Sequence, residues 1–481
     1  MKKASIFIFL FASIILIGMV TYPAAAGKKK PSIAEMKKWK VPMDDPRPYI
    51  QNGFYKHFLS DEQYMAFVYD VPSMKQAWSE IVGFKAPEVV GKIAPEIKPG
   101  KYSYKDKQIF PGLKELMPEY FYEMFDKPGP PVAGKFSEII IIPTRQYYYS
   151  LPVAMATKKH DGQTKLDDAG YIIDSSYSAG YPFPRPSGNF KAQQILYNML
   201  KRYLPWENSF SISVLNGYDK NLRRDMVDAC SDALEIRLSG RVQMAPIGWF
   251  DKRAADQGEE TASIYFFQAP RDQYGNISNI ITYISPEKLD SSLMYLASLR
   301  RVRKMTSTDT QDAFGGTDAD QDSGHIGGFA QKMSPNIYPM DYKVLEEREY
   351  LVPAHSLDGS PYIDSESGEF KLLEFERRPV WVVEAKELDK NYIYSRRVVF
   401  LDRETLVSFM SMNYDQQGRL YRTALNTRSF LPDMGMFLIG VTALTDHIDQ
   451  HTTVGTALSV PIHGLNRNDI AMGSLLRRST K

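Results

Sequence analysis

Two histidines and an aspartate stand close together in "TDHIDQHTT": His447, Asp449 and His451. On a strand their three side chains share one face, and on a helix the two histidines meet at i, i+4. Such a set suits zinc or ferrous iron, so a metal-dependent envelope enzyme is one reading; hydrogen-bonded packing is the bland one. In "GTDADQDSGH", Asp318, Asp320 and Asp322 alternate as at the start of an EF-hand loop. The required glycine comes one position late at Gly324, and Phe329 replaces the bidentate glutamate, so a solvated acidic loop is expected. Gly129 to Lys135 has the spacing of a phosphate-binding loop, but Phe136 stands where Ser or Thr must hold magnesium and two prolines remove cradling amides. It is expected to be coincidental. Neither G-x-S-x-G nor H-E-x-x-H occurs. Arg145, Arg377 and Arg378 lie beside apolar strands; they are expected to pair with Glu376 or Glu384, the alternative being contact with a lipid or carboxylate head group. No catalytic residue, bound metal or cofactor is assigned.

A second kind of chemistry needs no reactive group. "VWVVEAKELDKNYIYSRRVVFLDRETLVSFMSMNY", Val380 to Tyr414, reads as three strands with apolar side chains on both faces. An antiparallel sheet commonly gives one face to its core and the other to water, so a second apolar face needs a covering. Moving a 16-carbon acyl chain out of a membrane costs about 13 kcal/mol at about 0.8 per methylene. Six or seven large apolar side chains at about 1.5 to 3 kcal/mol each can offset that. Trp381, Val383, Tyr394, Val398, Phe400, Met410 and Met412 are the candidate ligand-binding set, provided the strands pair so that they share a face. A one-residue slip moves each across the sheet.

The elements that would carry these residues follow from the pattern along the 481 residues. Lys2 and Lys3, the apolar run from Ile6 to Val20, and Ala24-Ala25-Ala26 predict a secretory signal cleaved near Ala26, and hence a periplasmic protein. Its removal takes two lysines from a formal charge of +2, leaving 2 − 2 = 0, which offers no footprint for nucleic acid. Cys230 is the single cysteine, which excludes an intrachain disulfide. Residues 27–130 read as a helical and irregular lead-in, with helices expected over Asp61–Val68, Pro72–Val82 and Leu113–Phe125. A strand is expected over Lys135–Ser150 and an amphipathic helix over Asn189–Leu204. From about Leu238 short strands succeed one another as an antiparallel meander, interrupted by a long Gly/Asp-rich loop over Thr306–Pro335. The domains are thus 1–26, signal; 27–130, lead-in; 131–430, β-rich domain; and 431–481, a C-terminal extension packing on it.

"IIPTRQYYYSLPVA", "AGYPFPRPSGNFKAQQILYN", "LRRVRK", "FERRPVWVVEA", "YIYSRRVVFLDRETL" and "YDQQGRLYRT", in this order, resemble the bacterial exported family catalogued as domain of unknown function number thirteen twenty-nine. The resemblance implies a fold like that of the periplasmic lipoprotein carriers of the Lol pathway: α+β, with a large antiparallel, unclosed β-barrel wrapped around helices. It also implies traffic of hydrophobic molecules beside an inner-membrane transporter of the resistance-nodulation-division type and an outer-membrane protein. The function expected is therefore a periplasmic binding or shuttle protein for a lipid, a sterol-like molecule or a lipidated protein. The other readings are the metal-dependent enzyme and a structural subunit of an envelope complex.

Overall fold

The computed structural model describes residues 65–479 except 204–205, 307–310, 314–315, 321–331, 357–361, 365–366 and 372. The signal segment and the expected helix start at Asp61 lie outside the described residues, as does most of the Gly/Asp loop. The strands are β1 (Gly100–Ser103), β2 (Glu138–Ile141), β3 (Asn208–Tyr218), β4 (Arg224–Arg237), β5 (Glu259–Ala269), β6 (Ile277–Tyr283), β7 (Ser291–Leu296), β8 (Arg301–Lys304), β9 (Met340–Pro353), β10 (His355–Ser356), β11 (Tyr362–Ile363), β12 (Phe370–Lys371), β13 (Glu374–Glu387), β14 (Tyr394–Asp402), β15 (Ser408–Asp415), β16 (Leu420–Leu431), β17 (Met436–Asp446) and β18 (His451–Pro461).

Sixteen of these form one unclosed, almost wholly antiparallel sheet, and β11 and β12 pair separately. The first two strands, β1 and β2, lie at one end beside β13, and the chain then moves to mid-sheet at β3. Strands β3 to β8 run outward in sequence order to one edge; the chain then crosses to the far end, lays β9 along β13, and returns through β13 to β18 until β18 pairs with β3. The α+β class and the unclosed antiparallel sheet therefore stand. The expected C-terminal extension does not: residues 436–461 form two central strands, because β18 is the partner that β3 needs. The expected strand 135–150 shortens to β2, and Leu151–His160 is helical.

Both faces of β13 to β18 are apolar, and the polypeptide covers both. On the outer face Val380, Val382, Val398, Phe400, Met410, Leu425 and Ala443 pack against Leu113, Leu116, Tyr120 and Phe121. The single helix expected over 113–125 is two short ones, Gly112–Leu116 and Glu119–Met124, divided at Pro118, which lacks an amide donor. On the inner face Trp381, Val383, Ala385, Val399 and Leu401 pack against Met74, Trp78, Val153, Ile195 and Met199. These last come from three helices, Val71–Val82, Leu151–His160 and Lys191–Leu200. The first shows how sequence sets its ends: Asp70 Oδ2 accepts from the Ser73 amide at 2.9 Å, and Gly83 at φ 89° closes the last turn in the left-handed region. Its buried Met74, Trp78, Ile81 and Val82 keep helical spacing. Among the described residues no helix is long and apolar enough to cross a membrane.

Further along the outer face, Leu234, Ile236, Ala262, Ile264 and Ile281 of β4 to β6 are covered by Phe250, Ala254, Ile470, Met472 and Leu475. The inner face of the same strands is where covering by helices stops.

Candidate functional site

Period-two alternation in β4 to β6 sends Leu234, Ile236, Ala262 and Ile264 outward, so Glu235, Arg237, Thr261, Ser263 and Tyr265 point to the inner face. There they line a cavity of about 640 Å³, within the range of about 300 to 1,000 Å³ typical of small-molecule sites. Its opposite wall is the C-terminal end of the helix Lys191–Leu200, through Tyr197, Leu200, Lys201 and Arg202. That helix spans the concavity, tied at one end by Lys191 to Glu347 of β9 at 2.5 Å and at the other by Lys201 to Glu260 of β5 at 2.7 Å.

The third wall is the segment 332–339. Lys332 Nζ donates to the carbonyls of Tyr283 and Lys288 at 2.9 and 2.7 Å and pairs with Asp290 at 3.0 Å. Asn336 donates to Glu287 at 2.7 Å. At its other end the Pro339 carbonyl accepts from the Leu388 amide at 2.9 Å, and the Tyr338 ring meets that of Tyr392. The segment thus straps the turn between β6 and β7 to the turn between β13 and β14, joining regions that are far apart in strand order. It places Met333, Ile337 and Tyr338 on the cavity.

Charge in the cavity is unevenly compensated. Lys201 is neutralised by Glu260 and Lys332 by Asp290, while Asp320 is held by Arg422 at 3.1 Å. Arg237, 4% exposed, donates through NH2 to the carbonyls of Lys201 and Arg202 and stacks on Tyr203 at 4.0 Å, but its NH1 has no hydrogen-bond partner among the described residues. Arg202 donates from NH1 to the Met199 carbonyl at 3.0 Å, and its buried Nε has none among them. The carboxyl of Glu235 is pushed up by burial, against the pull of Arg202.

A family model described as "Protein of unknown function (DUF1329)" matches residues 113–461. The chain belongs to this family. The matched span contains every residue that lines the cavity. No curated protein matches. Solved structures similar to this DUF1329 chain include the following three. A DUF1329 family protein from Desulfovibrio piger is 15% identical, with 56% of this chain and 91% of that one covered and a TM-score of 0.39. An outer membrane lipoprotein-sorting protein domain from Vibrio parahaemolyticus is 16% identical, covering 56% and 92%, at 0.38. A LolA superfamily protein from Nitrosomonas europaea is 12% identical, covering 59% and 98%, at 0.36.

In this DUF1329 chain the seven candidate residues do not form one surface. Val398 and Phe400 pair with Met412 and Met410, so these four share the outer face; Trp381 and Val383 oppose Leu401 and Val399 on the inner one. The register between β13 and β14 puts Val382, not Trp381 or Val383, opposite Phe400. Tyr394 lies beyond a bulge, its hydroxyl donating to Asp320. All seven are buried in the protein's own core, and none lines the cavity. The residues that do line it were missed for two reasons. Strands β3 and β4 precede Leu238, and a search for apolar faces passes over a polar one. The alternation of "DALEIR", with Leu234 and Ile236 against Ala233, Glu235 and Arg237, was the available signal.

His447, Asp449 and His451 do not converge either. His447 and Asp449 lie in the turn between β17 and β18, whereas His451 is the first residue of β18 and pairs with Asp446. His447 packs edge-on against Tyr120 and bonds Thr423 Oγ1 at 3.0 Å, whereas His451 bonds Asp318 at 2.6 Å and Asp225 at 3.1 Å. Among the described residues no three His, Cys, Asp or Glu side chains are placed to hold a metal ion. Asp318 and Asp320 are not simply solvated: one binds His451 and Thr453, the other Tyr394 and Arg422. Asp322 lies outside the described residues. The expected pairing of Arg145 with Glu376 is present at 2.6 Å. Arg378 also pairs with Glu376, at 3.6 Å, and more closely with Asp402 at 2.5 Å and Glu404 at 2.7 Å; Arg377 instead bonds Glu349 at 2.7 Å, and Glu384 pairs with Arg396.

Proposed function

We propose that the protein binds and carries an amphiphilic, largely apolar molecule in the cavity between β4 to β7, the helix Lys191–Leu200 and the strap 332–339. The supporting observation is the cavity itself: about 640 Å³ between the inner face of β4 to β7 and the end of the helix Lys191–Leu200. Its lining mixes Leu200, Ile280, Ile284, Met305, Met333 and Ile337 with threonine, serine and paired charges, the composition that holds an apolar body and orients a polar end. The site is therefore moved from the C-terminal strands to the N-terminal ones. The finer reading is a periplasmic shuttle whose cargo is a lipid, a sterol-like molecule or a lipidated protein. It would work beside an inner-membrane transporter of the resistance-nodulation-division type and an outer-membrane protein.

Mass spectrometry of an organic extract, from protein purified without detergent, tests the proposal. A lipid in near-stoichiometric amount is expected from the native protein. Ser263→Trp, which fills the cavity from β5, is expected to reduce it to traces while the protein stays folded. A clean extract, together with no uptake of added hexadecanol or hexadecanoate, overturns the proposal; a clean extract from a stable oligomer favours a structural subunit.

A further inference from the structure

The compensation of charge around the cavity carries a statement about the cargo's head group, and it rests on the binding reading above. After Lys201, Lys332 and Asp320 are paired, Glu235 is the acidic lining residue beside Arg202, while Arg237 lies near Glu207 and Glu260, the latter already paired with Lys201; Lys304 is on the exposed strand β8. Just beyond the lining lie Arg241, Arg428 and Glu207. Glu207 is engaged by the backbone amides of Val242, Gln243 and Met244, and Arg241 donates to Asn208 and to four backbone carbonyls. Arg428, in β16 and 6% exposed, has no ion-pair partner among the described residues, and its Nε and NH2 find no acceptor among them. Its guanidinium is pulled down to about 10, first by burial and then by the charge of Arg202, so the two cations act on each other. Four guanidiniums thus stand against two carboxylates. Four of their N–H-bearing atoms, Arg202 Nε, Arg237 NH1, and Arg428 Nε and NH2, lack acceptors among the described residues.

Burying an unneutralised guanidinium is costly, and donors left unpaired add to the cost. An anion at this end of the cavity relieves both, since planar N–H donors match carboxylate and phosphate oxygens. We propose that Arg202 and Arg237, backed by Arg428, bind the acidic head group of the cargo, a carboxylate or a phosphate, while its apolar body lies along the strands and the strap.

The test is a head-group series on one alkyl chain, titrated into delipidated full-length protein below micelle-forming concentrations: hexadecanoate, hexadecyl phosphate, hexadecanol and hexadecyltrimethylammonium. The acids are expected to bind about tenfold or more tighter than the alcohol, as charge-assisted hydrogen bonds allow, and the ammonium weakest. Preference for hexadecanoate points to a fatty acid, and preference for hexadecyl phosphate to a phospholipid. In Arg202→Gln and Arg237→Gln the gap between acid and alcohol is expected to close, the acids losing more affinity than the alcohol; Arg202→Lys restores part of the gap. Equal binding of acid and alcohol by the native protein, or tighter binding of the ammonium, overturns the head-group assignment and leaves the cavity as a binding site. Failure of all four probes overturns the binding reading itself. The native series is read without any variant, so a substitution that disturbs folding does not decide the outcome.

Discussion

His447 and His451, four positions apart across one hairpin turn, are driven in opposite directions by their neighbours. Burial lowers His447 to about 4, and the hydrogen bond to Asp318 leads the causes that raise His451 to about 9. Against an ordinary value of 6.5, His447 contributes stability that is full above pH 6.5 and lost as pH falls toward 4. For His451 the folded state holds its proton more tightly. Its contribution is full below 6.5 and lost as pH rises through about 9. His451→Gln should therefore flatten the alkaline limb of a plot of urea midpoint against pH between 6.5 and 9. An unchanged limb in the variant would show that the Asp318 contact does not stabilise the fold. At this scale the sequence was partly legible. Glu376 beside Arg145 could be named because both flank short apolar runs, whereas Asp402 and Glu404 reach Arg378 only because β13 pairs with β14.

Among the elements, the strands of the C-terminal meander were legible because each is a short apolar run bounded by turn residues. β3 and β4 were not: on their inner face Asn208–Tyr218 carries Ser209, Ser211 and Ser213, and Arg224–Arg237 carries Ser231, Glu235 and Arg237, since that face turns toward a cavity or polar neighbours rather than a core. The strap was visible only as part of a loop. Its hold on the sheet depends on Lys332, which is 11% exposed and makes three bonds at one anchor. Removing them in Lys332→Ala should ease local opening by about 1 to 3 kcal/mol. Hydrogen exchange should then quicken at the amides of residues 334–338, and bound cargo should leave faster. Unaltered exchange would mean that Asn336 and Tyr338 hold the strap without the lysine.

For the molecule as a whole, strand order decides which parts can be removed. β17 and β18 are last in sequence yet central in the sheet, and β18 is the seam between the outgoing strands β3 to β8 and the returning β13 to β17. A chain ended at Leu431 exposes two new edges in mid-sheet and takes Ile470, Met472 and Leu475 from the outer core. Such a truncation should lose cooperative urea unfolding and become sensitive to protease throughout, rather than behave as a trimmed native protein. Retention of a sharp transition would show that the two strand blocks fold separately.

Sequence by itself determined what periodicity and side-chain chemistry can carry: the antiparallel, β-rich class, two apolar faces on the strands from Val380 to Tyr414, helices expected over 72–82 and 189–204 and found over 71–82 and 191–200, and membership of the family. Tertiary structure alone decided which face each strand residue occupies, what covers it, and where covering ends. Those are properties of pairing register and of contacts between residues hundreds of positions apart. That is why Trp381 and Phe400 lie on opposite faces of one sheet, and why the cavity opens over Glu235, Arg237 and Ser263.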